Sequence, residues 1–270
     1  MHKAGISESS AAAPEPSQRS NAFSLEGRVA LVTGGGTGLG YAMTSCLAAA
    51  GAKVVITGRR RDVLAQAAEK LGANVYPEPH DITDLAAAAK LIARIEKHHG
   101  APTILINNAG THVKKTVEEH THDDFRNILA THVEGAFALT RAAVPAMKRA
   151  GGGSVILISS MSALMGLPLV VAYSAAKSAY HGLVRSMAAE LGPDNIRVNA
   201  IAPGWIETPM LDKALSGDPE RTSKIISRTP LGRFGTPEDI GWCAAYLCSP
   251  AAAFITGAVI PVDGGASIGF

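Results

Sequence analysis

Tyr173 and Lys177 stand four residues apart in Tyr-Ser-Ala-Ala-Lys, and Ser160 precedes the tyrosine by thirteen residues. A spacing of four puts both side chains on one helix face. A free phenol, with pKa about 10, is a poor base near neutrality. An ammonium beside it favours the phenolate and lowers that value, and a serine hydroxyl can polarise a substrate oxygen. The trio has the parts for proton transfer at an alcohol or carbonyl oxygen. Tyr-x-x-x-Lys alone occurs in many helices. Here it follows, in order, a serine and the segment Thr33-Gly-Gly-Gly-Thr-Gly-Leu-Gly40. A strand–glycine–helix junction can bring a pyrophosphate against backbone N–H groups and a helix N-terminus. The pattern is T-G-x-x-x-G-x-G; strict G-x-G-x-x-G fails because Leu39 occupies a glycine position. Gly34, Gly36, Thr37, Gly38, Leu39 and Gly40 are the candidate pyrophosphate residues.

Further candidates follow other apolar runs. After Lys53-Val-Val-Ile-Thr57, where a dinucleotide fold places an acid for the ribose 2′-OH, the chain reads Gly58-Arg-Arg-Arg61. An arginine grips a 2′-phosphate that a carboxylate would repel, so Arg59 favours NADP and leaves NAD possible. A solvated basic loop is the plainer reading. Asp81 and Ile82 are placed to flank an adenine. Asn108, Ala109 and Gly110, in Asn107-Asn-Ala-Gly110, offer small residues where a nicotinamide ribose must approach backbone.

These residues need positioning elements. Short apolar runs at 28–33, 53–57, 103–107, 154–158, 197–201 and 258–262 read as strands, and 74–76 leads into a further one that stops near Asp81. Segments 41–50, 61–71, 85–98, 125–150 and 174–191 read as helices, the fourth open to bending at Pro145. Continuous apolar strands alternating with helices predict an α/β, doubly wound, mostly parallel seven-stranded sheet with right-handed crossovers. Ligands bind beyond the carboxyl ends of such strands, where the candidates lie. With no linker, residues 25–270 read as one Rossmann-like domain.

Of 270 residues, 47% are hydrophobic and 18% charged, so a large core is available. A net charge of +2 gives no footprint for nucleic acid or an acidic membrane. No run of about 18 apolar residues predicts a membrane span. Cys46, Cys243 and Cys248 cannot build a disulfide framework and lack zinc spacing; they read as reduced thiols of a cytoplasmic protein. Residues 1–24, rich in Ser, Ala, Pro and Glu, lack a secretory apolar core and read as a flexible tail. His98, His99, His112, His120 and His122 read as surface residues. Lys114-Lys115 could meet an acidic substrate, or be a solvated pair.

In combination these motifs resemble the classical short-chain dehydrogenase/reductase family from about Leu25 to Gly265. Thr33–Gly40, Asp81-Ile82, Asn107–Gly110, Ser160, Tyr173, Lys177, Asn199, Pro203-Gly204…Thr208 and Val262-Asp-Gly-Gly265 match in order. The resemblance implies NADP(H)-dependent hydride transfer between nicotinamide and a secondary alcohol or ketone. Gluconate 5-dehydrogenases and 3-oxoacyl reductases are the nearest kinds. Tyr173 would be the general acid/base, Ser160 would hold the substrate oxygen, and Lys177 would bind the ribose and lower the tyrosine pKa. Pro203, Gly204, Ile206 and Thr208 would line the nicotinamide and pyrophosphate side. Trp205 and residues 210–229 would form a substrate lid, and the assembly would be a homotetramer. His132 departs: the family places Asn there, supporting a water-mediated relay largely through its main-chain carbonyl. Either that carbonyl suffices, or the imidazole joins the relay, or the chain is an NADPH-binding regulator with little catalysis.

Overall fold

The computed structural model describes residues 21–209, 211 and 215–269. Seven strands form one parallel sheet in the order β3-β2-β1-β4-β5-β6-β7. They are β1 (Val29–Thr33), β2 (Lys53–Thr57), β3 (Val75–Pro77), β4 (Pro102–Asn107), β5 (Gly153–Ile158), β6 (Ile196–Pro203) and β7 (Val259–Val262). Every residue of β1 and β5 is buried. Such strands must be covered on both faces, which selects β-branched and apolar residues at every position instead of alternating ones.

The cover comes from two helical layers. One face packs α1 (Gly38–Ala49), α2 (Arg61–Leu71) and α8 (Pro237–Cys248) through Met43, Leu47, Leu64, Ile240 and Leu247. The other packs α3 (Ala88–His99), α5 (Gly135–Arg149) and α6 (Val171–Leu191) through Leu91, Ile95, Leu139, Tyr180 and Val184. Two shorter helices, α4 (His122–Leu129) and α7 (Pro219–Ser227), complete the set used below. Small residues let α1 and α8 touch: a Cβ on Gly241 would lie 2.5 Å from Cys46 Sγ and 2.9 Å from the Ala42 oxygen.

The chain runs from β1 outward to β3, then returns to start again at β4 on the other side of β1. The β1/β4 boundary is the switch point at which an open parallel sheet leaves its crevice. Thr33 ties it together: its buried hydroxyl donates to the Ile106 oxygen (3.2 Å) and accepts from the Asn108 (2.9 Å) and Ala109 (2.8 Å) amides.

Three expectations change in detail. The helix expected over 125–150 is three pieces, α4, a π-turn over Ala130–Glu134, and α5. The irregularity is the π-turn, whereas Pro145 sits inside the regular α5. Secondly, the tail expected to reach Ser24 is already held from Asn21: the Ala251 amide donates to the Ala22 oxygen (2.8 Å), and the Phe23 and Tyr246 rings lie 6.2 Å apart. Residues 1–20 lie outside the described residues. Thirdly, α7 and α8 had no counterpart in the sequence reading. Helix α8 starts at a capping box of Thr236 and Asp239.

Candidate active site

Strand β5 ends at Ile158, and Ser160 follows in extended conformation, capping a short turn through an accepted bond from the Ser162 amide (3.1 Å). Helix α6 opens at Val171, so Tyr173 and Lys177 stand on its first turns. The Lys177 ammonium is buried and donates to the Ile158 carbonyl at 2.5 Å. It lies 5.4 Å from the Tyr173 ring centre and 4.9 Å from that of Tyr180. The structure thus brings Ser160, Tyr173 and Lys177 together at the carboxyl end of β5.

Electrostatics here are dominated by desolvation. Burial brings the Lys177 ammonium down to about 7. Burial also raises the Tyr173 phenol, and the hydrogen bond from Ser160 only partly opposes it. In the protein alone, burial outweighs the groups that neighbour the Tyr173 hydroxyl.

His132 sits in the π-turn and is 1% exposed. Its ring meets Tyr173 edge-on, 5.5 Å between centres at 85°. Nε2 is 2.7 Å from the Thr111 oxygen and 3.1 Å from the Thr111 nitrogen. One neutral ring nitrogen cannot serve both, and the shorter contact makes Nε2–H a donor to the carbonyl. Nδ1 is then a buried acceptor without a partner. Burial first, and the charge of Lys177 second, push His132 down to about 3, so it stays neutral near pH 7. Its main-chain carbonyl accepts from the Tyr180 hydroxyl at 2.9 Å. The ring also explains one glycine: a Cβ on Gly110 would lie 2.2 Å from His132 Cε1.

The glycine-rich turn forms a cradle. Gly34 and Gly38 have φ of +66° and +53°, and nothing lies within 4 Å of where a Gly38 side chain would start. A Cβ on Gly40 would strike the Gly34 oxygen at 2.1 Å, so only glycine lets α1 begin this close to β1. Thr37 makes no side-chain cap and α1 has no acid in its first turn. Its leading amides are therefore available to an anion. These features fit a dinucleotide pyrophosphate. Arg59 is exposed beyond β2, and its charge helps hold Asp81 below the ordinary carboxylate range, after the two bonds from Thr83. Ile82 packs against Gly135, under the π-turn. Asn108 spends its side chain on the Thr33 carbonyl (2.8 Å), so its amide braces the cradle. Pro203 ends β6, Gly204 presses against Asp263, Ile206 is buried, and the Thr208 hydroxyl accepts from the Leu211 amide.

Other candidates separate. Lys115 is bound to Asp124 at 2.6 Å, while Lys114 is exposed. His112 is exposed as expected, yet its ring centre lies 6.4 Å from that of Tyr173, a proximity without a sequence signal. Asn199 is structural: its amide donates to the Ile255 oxygen and accepts from the Ala258 amide. The lid segment contains α7, but Met210 and residues 212–214 lie outside the described residues. The three thiols are free and burial raises each to about 11. Among the described residues no cluster of three or more His, Cys, Asp or Glu could hold a metal ion, and no helix is long and apolar enough to cross a membrane.

A family model described as enoyl-(acyl carrier protein) reductase matches residues 34–267. An NADP-dependent (R)-specific alcohol dehydrogenase from Lentilactobacillus kefiri is 40% identical over 246 residues, covering 89% of this chain and 97% of that protein. A protein from Agrobacterium tumefaciens provisionally assigned as a gluconate dehydrogenase superposes with TM-score 0.89 at 33% identity, over 92% of this chain and 99% of the other. A Beutenbergia cavernae protein provisionally assigned as an NAD(P)-dependent gluconate 5-dehydrogenase, with NADP bound at low occupancy, gives 0.84 at 37%, over 91% and 98%. With a sheet order, a phosphate-type cradle and a near-full-length match that all agree, the chain belongs to the short-chain dehydrogenase/reductase family.

Proposed function

We infer that the chain is an NADP(H)-dependent oxidoreductase that interconverts a secondary alcohol and a ketone, with Tyr173 as general acid/base. The observation that carries this reading is the convergence of Ser160, Tyr173 and Lys177 at the carboxyl end of β5, beside the β1/β4 switch point. When bound, the nicotinamide supplies the hydride donor or acceptor. Gly34, Gly36, Thr37, Gly38, Leu39 and Gly40 hold its pyrophosphate, and Arg59 binds the 2′-phosphate. Asp81 and Ile82 flank the adenine, and Asn108, Ala109 and Gly110 lie along the ribose. Pro203, Gly204, Ile206 and Thr208 line the nicotinamide side.

The Ser160 hydroxyl holds the substrate oxygen, and Tyr173 gives or takes its proton. Burial makes the phenol a proton donor at neutral pH, which suits ketone reduction. Alcohol oxidation needs the phenolate, and a positive charge brought close to it lowers its cost. Lys177 binds the ribose and supplies part of that charge. His132 contributes its main-chain carbonyl, and its neutral imidazole fills space beside Tyr173. The relative named as an (R)-specific alcohol dehydrogenase supports an alcohol/ketone substrate, and those assigned to gluconate support a sugar acid. Exposed Phe137 and Val171 on α5 and α6 support a homotetramer, and free buried thiols support a cytoplasmic location.

The test is NADPH absorbance over a panel of ketones, keto sugar acids and 3-oxoacyl thioesters. Turnover of at least one carbonyl, faster with NADPH than NADH, is expected. Cofactor binding without turnover of any would favour the NADPH-binding regulator.

A further inference from the structure

Lys177 is a buried cation with no carboxylate within ion-pair distance among the described residues. Such a charge is costly unless something else compensates it. Its one acceptor among the described residues is the Ile158 carbonyl. The remaining neighbours are two aromatic faces, Tyr173 at 5.4 Å and Tyr180 at 4.9 Å. Tyr180 is the closer of the two, is 1% exposed, and has no part in the chemistry above. Its hydroxyl donates to the His132 carbonyl, across from α6 to the π-turn, which fixes the ring at its far end.

We propose that Tyr180 is a positioning residue: its ring is the second face of an aromatic clamp that keeps Lys177 an ammonium, and its hydroxyl anchors that ring to the π-turn. A ring quadrupole attracts a cation within about 6 Å of its centre, most strongly where water is excluded. The other groups near this ammonium are Tyr173 on α6 and neutral His132 on the π-turn, with His112 beyond them against the far side of the Tyr173 and His132 pair. On the β5 side stands Ser159, whose hydroxyl donates to the Lys177 carbonyl and contacts His181. None of them carries a negative charge at neutral pH. The clamp therefore works in the direction opposite to desolvation, and loss of the Tyr180 face favours neutral lysine.

For turnover the proposal rests on the function inferred above, but its core can be read without turnover. Lysine labelled with carbon-13 at Cε gives a Lys177 resonance, assigned by its loss in Lys177→Met, and its titration midpoint is the readout. Position 180 is varied to Phe, to 3,4,5-trifluorophenylalanine and to Leu. Phe keeps the face and should leave the midpoint within about half a pH unit. The trifluoro ring keeps the shape but cancels the quadrupole, and should lower the midpoint by about one pH unit. Leu should lower it at least as far. If Leu does not fold, the Phe and trifluoro pair decides alone. Equal midpoints in that pair would overturn the proposal. In an active enzyme, the acid limb of alcohol oxidation should move to higher pH in the trifluoro and Leu variants and stay in place in the Phe variant, because neutral lysine no longer favours the Tyr173 phenolate. Wild type lacking turnover, with the midpoint still falling on fluorination, would refute the inferred function and leave the clamp standing.

Discussion

Replacing Gly110 by alanine should expose how tightly His132 is held, and its cost follows from the contacts. The added Cβ would sit 2.2 Å from His132 Cε1 and 3.0 Å from both ring nitrogens. Carbon–carbon contact needs about 3.5 Å, so the ring must retreat by about 1 Å. It cannot do so and keep Nε2 at 2.7 Å from the Thr111 oxygen. Overpacking costs about 1–3 kcal/mol, and loss of the part-buried hydrogen bond to Thr111 about 0.5–1.5 kcal/mol more. Gly110→Ala should therefore destabilise by about 1.5–4.5 kcal/mol. Gly110 does not occupy the left-handed region, so alanine carries no backbone strain there. In a His132→Ala background the obstacle is gone, and Gly110→Ala should be neutral or stabilise by about 0.4–1 kcal/mol through the unfolded chain. Urea denaturation of the four proteins measures the coupling, expected at about 2 kcal/mol or more. An equal cost of Gly110→Ala in both backgrounds would refute the reasoning, because the penalty would not come through the imidazole.

Arg59→Ala should remove most of an NADPH-over-NADH preference of about ten- to a hundredfold while leaving NADH affinity nearly unchanged, as measured by cofactor titration. His132 enters the native state neutral with its pKa near 3, against 6.5 unfolded. Its neutral form therefore contributes stability that is present above about pH 6.5 and lost as pH falls toward 3. Between pH 7 and 4 the wild type should lose about 3 kcal/mol more than His132→Asn, read by urea midpoints at each pH, and the variant should keep turnover within about a few-fold at pH 7, since a main-chain carbonyl survives the change. Thr33→Val strips a buried hydroxyl from three backbone groups of the switch point, so about 3 kcal/mol or more should be lost, whereas Thr33→Ser should lose much less.

The layered sheet was legible because a parallel strand buried on both faces is a near-continuous apolar run, as Val29–Val32 and Val155–Ile158 are. The Thr33–Gly40 turn was legible because Gly34, Gly38 and Gly40 are demanded by backbone conformation and close approach. Tyr173 and Lys177 were legible because four residues is one helical turn. Harder to see was the π-turn at Ala130–Glu134: one extra residue in a helical ladder leaves the apolar periodicity almost intact, whereas Pro145 announces itself and yet stays within a regular helix. Tyr180 was hidden for a related reason, since an aromatic on the buried face of α6 reads as core until its hydroxyl is seen on His132. The burial of Tyr173 was not legible, because a shared helix face says nothing about how far water is excluded. His112 reaches Tyr173 from a loop, where no periodicity reports direction.

Steady-state turnover of Tyr173→Phe on whichever carbonyl the wild type reduces, with NADPH affinity measured on the same protein, addresses the assignment of Tyr173 most directly. The substitution keeps the ring against His132 and beneath Lys177 and removes only the transferable proton. Positioned acid–base catalysis contributes about 10²–10⁴-fold, so turnover should fall by at least that order while NADPH binds as before. Turnover within a few-fold of wild type, in a variant that still binds NADPH, would contradict the assignment of Tyr173 and with it the chemistry inferred for this site.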